Sequence, residues 1–365
     1  MNKIILPIAV VSSLLFSVPA SALSFDFLGF NGFSEASNPD EWAALERAGD
    51  TLSDLFYDNI TVNIDVGYAD LDPSDALATT YVETMSSQYS EVKDALIADA
   101  VSAVDIIAIA NLPDGPNLSF LTNAPVSGNI IEESGSVAPI NNYRHELDIA
   151  SANAKALGII PNDEYLDGEI AYNSNSSILF DFDASDGISS NMYDFEGLMV
   201  HELLHALGFF SGVDFIDRAS EPNGEDGVAP TDLSGFRIFN TLDLFRYSTE
   251  SRNAGVDFDF AVGNAPYFSV DKGVNNLGFF STGEFNGDGY QTSHWKNNSG
   301  LGILEPVLPK GEILSISAID KAALDAIGYD VPELPMIWLF ISGILGLSGF
   351  KKNSISRICS ATINL

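Results

Sequence analysis

Two of the four histidines in this 365-residue chain stand four positions apart with a glutamate between them, as His201, Glu202 and His205 of HELLHALGFF. In a helix, positions i and i+4 project from one face, so the two imidazoles can share a divalent cation, and Zn2+ is the ion such a pair suits. Glu202 would stand beside that ion, placed to accept a proton from water. The competing reading is an amphipathic core helix whose histidines only make hydrogen bonds. Packing alone does not call for two His, a Glu and a terminating Gly together.

A catalytic zinc site takes a third protein ligand and leaves one position open. Ser211 occupies the place a compact HExxHxxGxxH pattern would give to His, and serine is a poor ligand. Asp214 lies three residues further on and could reach back. Glu221 and Glu225 suit a carboxylate arrangement but lie on no convincing helix. The remaining histidines are His145 and His294. His294 is favoured, because NGDGYQTSHW is a turn-rich loop that can deliver a side chain, and imidazole suits zinc better than a lone carboxylate.

The elements around the motif must hold it rigidly. Phe195, Leu198, Met199, Leu203, Leu207 and Phe210 supply an apolar face, Asp194 is a candidate N-cap, and Gly208 can turn the chain at the helix end. A helix is expected from Pro39 to about Tyr57, with Asn38 as cap, and a strand from Ile60 to Val66. A second helix is expected over about Ser87–Ala103, a buried strand over Val104–Ala110, and a polar loop over Pro113–Ser136. A helix near Asn142–Leu157, strands at Glu169–Tyr172 and Ile178–Phe182, and an acidic turn at Asp183–Asp186 complete the approach to the motif. The strand just ahead of the motif helix is the expected place for a peptide to add as an extra strand. Ile316–Tyr329 reads as a last helix stopped by Gly328. Residues 23–37 read as a loosely ordered lead-in, and 38–330 as one continuous catalytic domain.

The two ends are of another kind. Lys3, the apolar run Ile4–Val18 and Ala20-Ser21-Ala22 form a secretory signal over residues 1–22. At the other end Val331-Pro332-Glu333-Leu334-Pro335 precedes an apolar run, Met336–Phe350, then Lys351, Lys352 and Arg357, over residues 331–365. Between the ends, residues 23–332 carry 12 basic and 50 acidic side chains, a net charge of −38. Such a surface repels nucleic acid and anionic lipid. The single cysteine, Cys359, lies in the tail, so the exported part has no disulfide. The acidic loops Asp226–Asp232 and Asn286–Asp288 raise Ca2+ as a further possible ion, although no complete twelve-residue calcium loop is present.

Two resemblances rest on these segments. The C-terminal VPELP, apolar run and basic end resemble the PEP-CTERM sorting signal of Gram-negative bacteria, with Leu334 at the usual second proline. That likeness implies export, transient anchoring in the inner membrane, release by an exosortase-like processing enzyme, and a place outside the cell or in its surface matrix. HELLHALGFFSGVD at 201–214, LDLFRYS at 242–248 and SHWK at 293–296 resemble a group of PEP-CTERM-bearing metalloproteases and the leishmanolysin-like branch of the metzincins. This likeness implies an α+β, zincin/metzincin-like catalytic domain with a mixed sheet, an active-site helix and a C-terminal subdomain. It also implies metal ligands at His201, His205 and His294, Glu202 as general base, Zn2+ as cofactor, and a protein or peptide as substrate. Leu304, in GILEPVL, stands where metzincins place the methionine of the turn below the metal. Leu and Met fill similar volumes, so the apolar floor is expected to survive. Tyr290 and Tyr247 are the candidate donors to a tetrahedral oxyanion. The alternative function is a non-catalytic matrix or adhesion protein with a structural or decayed metal site.

Overall fold

The structure, a computed structural model, describes residues 23–71, 76–115, 118–123, 137–143, 146–219 and 238–332. The signal segment, most of the C-terminal sorting segment, His145, Glu221, Glu225 and the 226–232 loop lie outside those residues. In chain order the elements are β1 (Ser24–Phe30), α1 (Pro39–Ser53), β2 (Thr61–Ala69), β3 (Ala78–Val82), β4 (Thr84–Gln88), α2 (Tyr89–Asp99), α3 (Ala103–Asn111), β5 (Leu118–Asn123), β6 (Val137–Tyr143), β7 (Glu146–Ala150), α4 (Ser151–Ala156) and β8 (Gly168–Asn173). There follow β9 (Phe180–Asp181), β10 (Tyr193–Asp194), α5 (Phe195–Ala206), α6 (Val213–Ala219), β11 (Arg246–Tyr247), α7 (Thr249–Ala254), β12 (Phe258–Asp259), β13 (Tyr267–Phe268), β14 (Gly278–Phe279) and α8 (Ala318–Ala326).

The main sheet runs β1-β2-β8-β3, with the first three strands parallel and β3 antiparallel at the edge. In β2, Val62, Ile64 and Val66 alternate into the core, the period-2 pattern of a strand with one face buried. Between β1 and β2 the chain crosses over through α1, which starts on Pro39 and buries Ala44, Leu45, Ala48, Gly49 and Leu52 along one face. Gly49 lets β1 come close, since a Cβ there would lie 3.3 Å from the Phe27 ring. Helix α1 also meets α5, which packs in turn on β3 and β8. Smaller sheets pair β4 with β7, set β5 between β6 and β12, and join β11, β13 and β14. The fold is mixed α/β with mixed sheets. The described residues through Val331 belong to one compact unit. Among the described residues no helix is long and apolar enough to cross a membrane.

Four expectations are corrected. The lead-in is not loose, because Ser24–Phe30 is a full strand of the main sheet, its Phe25 and Phe27 packed against the core. The run expected as a strand over Val104–Ala110 is helix α3, since Ser102 and Asp105 form a reciprocal capping box at its start. Residues 118–123, expected in a loop, form β5. The helix expected over Asn142–Leu157 is mostly strand: β6 ends at Tyr143, β7 turns Leu147 and Ile149 inward, and only Ser151–Ala156 is helical. Directly ahead of the motif helix, Ile178–Phe182 supplies only the two-residue strand β9, paired with β10, and the edge strand of the main sheet that packs on α5 is β3.

Candidate metal centre

Helix α5 starts where Asp194 accepts the Gly197 N–H at 3.0 Å on one carboxylate oxygen. The other oxygen accepts the Leu314 N–H at 2.9 Å, tying the helix to the segment that leads into α8. At the far end Gly208 has φ +114°, a left-handed conformation that favours glycine. The turn it makes brings the Phe209 carbonyl back over the helix, where it receives the His205 Nδ1 proton at 2.6 Å. His201 Nδ1 likewise donates to the Ile303 carbonyl at 2.7 Å. A carbonyl can only accept, so both rings carry their proton on Nδ1 and present a bare lone pair at Nε2.

Those lone pairs point at one another. His201 Nε2 is 3.1 Å from His205 Nε2 and 3.3 Å from His294 Nε2, and the ligand atoms of all three rings lie within 4.8 Å. No other such group of His, Cys, Asp or Glu occurs among the described residues. Burial and mutual repulsion hold His205 down to about 4 and His294 well below its ordinary value, and burial lowers His201. A proton is therefore a poor occupant of the space between the rings at neutral pH. Three converging neutral bases fit a cation, and this donor set is able to hold a metal ion. His294 keeps a partly exposed edge, so one side of the trio faces outward.

Glu202 is next to the trio and nearly buried, and burial raises its carboxyl above the ordinary range. Thr80, on edge strand β3, donates its hydroxyl to Glu202 Oε2 at 2.6 Å. That bond fixes the carboxylate and couples it to the sheet edge. The strand register that brings Thr80 there is a tertiary feature, and no local signal in the sequence announced it.

The loop carrying His294 is braced from three directions. Asp214, one of the expected alternatives as ligand, instead accepts the Thr292 N–H at 2.5 Å and the Thr292 hydroxyl at 2.8 Å, and takes both the N–H and the hydroxyl of Ser293. Ser211 also stays off the trio; its hydroxyl donates to Asp243 at 2.6 Å and its N–H to Ser293 Oγ at 2.9 Å. Trp295 is fully buried, with Nε1–H on Asp320 Oδ1 at 2.7 Å and its N–H on the Leu304 carbonyl at 2.9 Å. Leu304 is buried in the core directly after Ile303, the acceptor for His201. Asp320 also receives the Ile303 N–H at 3.1 Å and caps α8, a role that the Ser317-x-x-Asp320 spacing could have revealed.

The two tyrosines expected as oxyanion donors have other neighbours. The Tyr290 hydroxyl accepts from Asn297 at 2.7 Å, and Tyr247 is buried against Gly273 with Asp257, Asp271 and Tyr267 as its titratable neighbours. The Asn286–Asp288 loop shows no calcium arrangement. Asp217 is taken by the N–H groups of Phe285 and Asn286, both at 2.9 Å, and Asp288 by that of Thr282 at 3.0 Å. No family model, no curated protein and no solved structure matches the chain.

Proposed function

We propose that this protein is an exported zinc-dependent endopeptidase with the metzincin-like architecture that its motif segments resemble. The observation that carries the reading is the meeting of three imidazoles with one carboxylate, that of Glu202, held beside them by Thr80. Three imidazoles and an outward-facing side suit Zn2+ at a site with one position open. When bound, zinc supplies Lewis acidity, polarising a scissile carbonyl and lowering the pKa of water toward neutrality.

The chain's own groups do the remainder. His201, His205 and His294 hold the ion through Nε2, with the first two kept in one tautomer by backbone carbonyls. Glu202 accepts a proton from the attacking water on its carboxylate and passes it to the departing amine, so water is added across the C–N bond. Edge strand β3 has a partner on one side only, and a substrate backbone adding to its open side would pass over Glu202. The signal-like and sorting-like sequences at the two ends support an activity outside the cell, after transient anchoring in the inner membrane and trimming by an exosortase-like enzyme.

The test is proteolysis of a generic unfolded protein by the full chain, with and without chelator, for wild type and Glu202→Gln. Removing a general base costs on the order of 10²–10⁴ in rate. Glu202→Gln is expected to fall by that much with its zinc stoichiometry unchanged. Proteolysis that survives both chelator and Glu202→Gln rules the reading out.

A further inference from the structure

Arg246 is 1% exposed, and none of its three guanidinium nitrogens has a hydrogen-bond partner among the described residues. A buried charge without direct partners is costly unless the surrounding field compensates it. Here the compensating charges, strongest first, are Asp259, Asp243, Asp214 and Asp288. The guanidinium also lies 5.3 Å from the centre of the Phe280 ring, which stacks on Trp295 at 4.9 Å. Arg246 thus faces His294's neighbour Trp295 through one ring on one side, and a set of carboxylates on the other.

Three of those carboxylates, Asp214, Asp243 and Asp259, accept from backbone and side-chain donors of nearby loops. Asp214 holds Thr292 and Ser293, the two residues before His294. Asp243 holds Ser211 through its hydroxyl, and Gly212 and Asn240 through N–H groups at 3.1 and 3.0 Å. Asp259 holds Ala261 at 2.8 Å and Asn264 at 3.0 Å. Ser293 and Ser211 are bonded to each other, so the Asp214 and Asp243 networks meet at the junction between the turn after α5 and the His294 loop. Burial drives these carboxyls toward their neutral forms, and the charge of Arg246 opposes it in all three. A neutral carboxyl could not accept the same set of N–H and O–H donors.

We infer that Arg246 is a positioning residue for the metal centre: its charge sustains the Asp214 and Asp243 clamps that seat the His294 loop, so the third imidazole is in place before a metal binds. A guanidinium suits this role because it is flat, delocalised and weakly hydrated, and can lie over Phe280 while acting as a charge without bonding to any one carboxylate. The inference rests on the metal-holding trio and does not require that the protein cleave peptides.

The experiment is a double-mutant cycle read by metal affinity, using Zn2+ and Co2+ in competition with a chromophoric chelator on the full chain. Outer-shell losses typically cost about 10–100-fold in metal affinity. Arg246→Met is expected to lose about that much in the wild-type background and almost nothing in a His294→Ala background, where the loop no longer supplies a ligand. Arg246→Lys should recover part of the loss, and the Co2+ visible spectrum of Arg246→Met should shift toward that of His294→Ala. Should Arg246→Met fail to fold, Asp214→Asn enters the same cycle with the same expectation. An equal loss in both backgrounds, or no loss in either, overturns the inference. Either result leaves the peptidase reading to its own test.

Discussion

Two regions of this molecule crowd groups of one kind, and they resolve the crowding differently. At the metal centre three imidazoles meet. At the seam where α2, α3 and the end of the fold come together, Asp58, Asp99, Asp105 and Asp330 act on one another electrostatically. Two of the three rings have Nδ1 tied to a carbonyl, so their Nε2 lone pairs have a fixed direction, and they converge. The seam carboxylates are aimed elsewhere: Asp105 takes the Val101 and Ser102 N–H groups at 3.0 and 2.9 Å, and Asp58 takes that of Asp330 at 3.1 Å. Their oxygens do not form a group able to hold an ion, and burial with like-charge repulsion pushes Asp58 and Asp99 up to about 7. Crowding alone does not make a metal site. Convergence of oriented lone pairs does.

A third location shows what a cation does for a buried carboxylate. Asp167 is fully buried, yet it has Lys155 Nζ at 2.6 Å and accepts the Asn63 N–H at 2.9 Å. Replacing Lys155 with Met should turn this site into an uncompensated one and cost about 3–5 kcal/mol in denaturant unfolding, the range for breaking a buried pair. A cost below about 1 kcal/mol would mean that neutral donors suffice, and the contrast with the seam would lose its basis. The matching change at the metal centre is His205→Ala. Loss of a direct ligand should weaken Zn2+ binding by more than about 100-fold, beyond what outer-shell changes reach. Unchanged affinity would show that the trio does not hold the ion.

The parts of the centre that follow from local chemistry were legible before any coordinates. HExxH at helical spacing, Asp194 as cap and Gly208 as stop all describe one stretch of chain, and each is found where it was expected. His294 was reachable because so few imidazoles exist in the sequence, helped by resemblance. What stayed hidden depends on register or on distant packing. Thr80 matters only because β3 lies antiparallel to β8, and Arg246 only because several loops close around it. The misread elements have plainer causes. The run AVDIIAIAN is apolar and β-branched enough to look like a strand, although Ser102 and Asp105 were a visible capping box. In Glu146–Ala150 the alternation of Leu147 and Ile149 marks the strand, and the alanines that follow belong to α4.

Asp194 gives a comparison within the centre, since it is a buried carboxylate with no cation and two backbone donors, Gly197 and Leu314. With no acidic neighbour pressing on it as in the seam, Asp194 should stabilise through its two donors, and Asp194→Ala should cost about 2 kcal/mol: roughly 1 for the helix cap and a similar amount for the orphaned Leu314 N–H. Urea unfolding of Asp194→Ala and Asp194→Asn measures it. The Asn variant should lose less, because it keeps one acceptor. Equal and negligible losses would put Asp194 in the same class as the seam.

The seam itself should show the smallest effect, with a distinctive dependence on pH. Asp58 has an ordinary value of 3.8 that the fold raises to about 7. Between those values the unfolded chain has lost the proton and the folded one keeps it, so the folded state binds more protons and loses stability as pH rises. The penalty is absent below about pH 4, grows to about pH 7, and is constant above. Asp58→Asn removes the titration and keeps an oxygen for the Asp330 N–H. It should therefore stabilise the protein at pH 8 by about 1 kcal/mol, a figure discounted because Asp99 and Asp330 are partly exposed and screened by solvent. At pH 4 the gain should vanish, and 0.5 M salt should shrink it only in part at pH 8, since burial is the larger cause of the raised Asp58 value and ions screen only the repulsion from Asp330 and Asp99. Equal stabilisation at both pH values would mean that neither burial nor repulsion raises Asp58, and the seam would then be an ordinary polar surface.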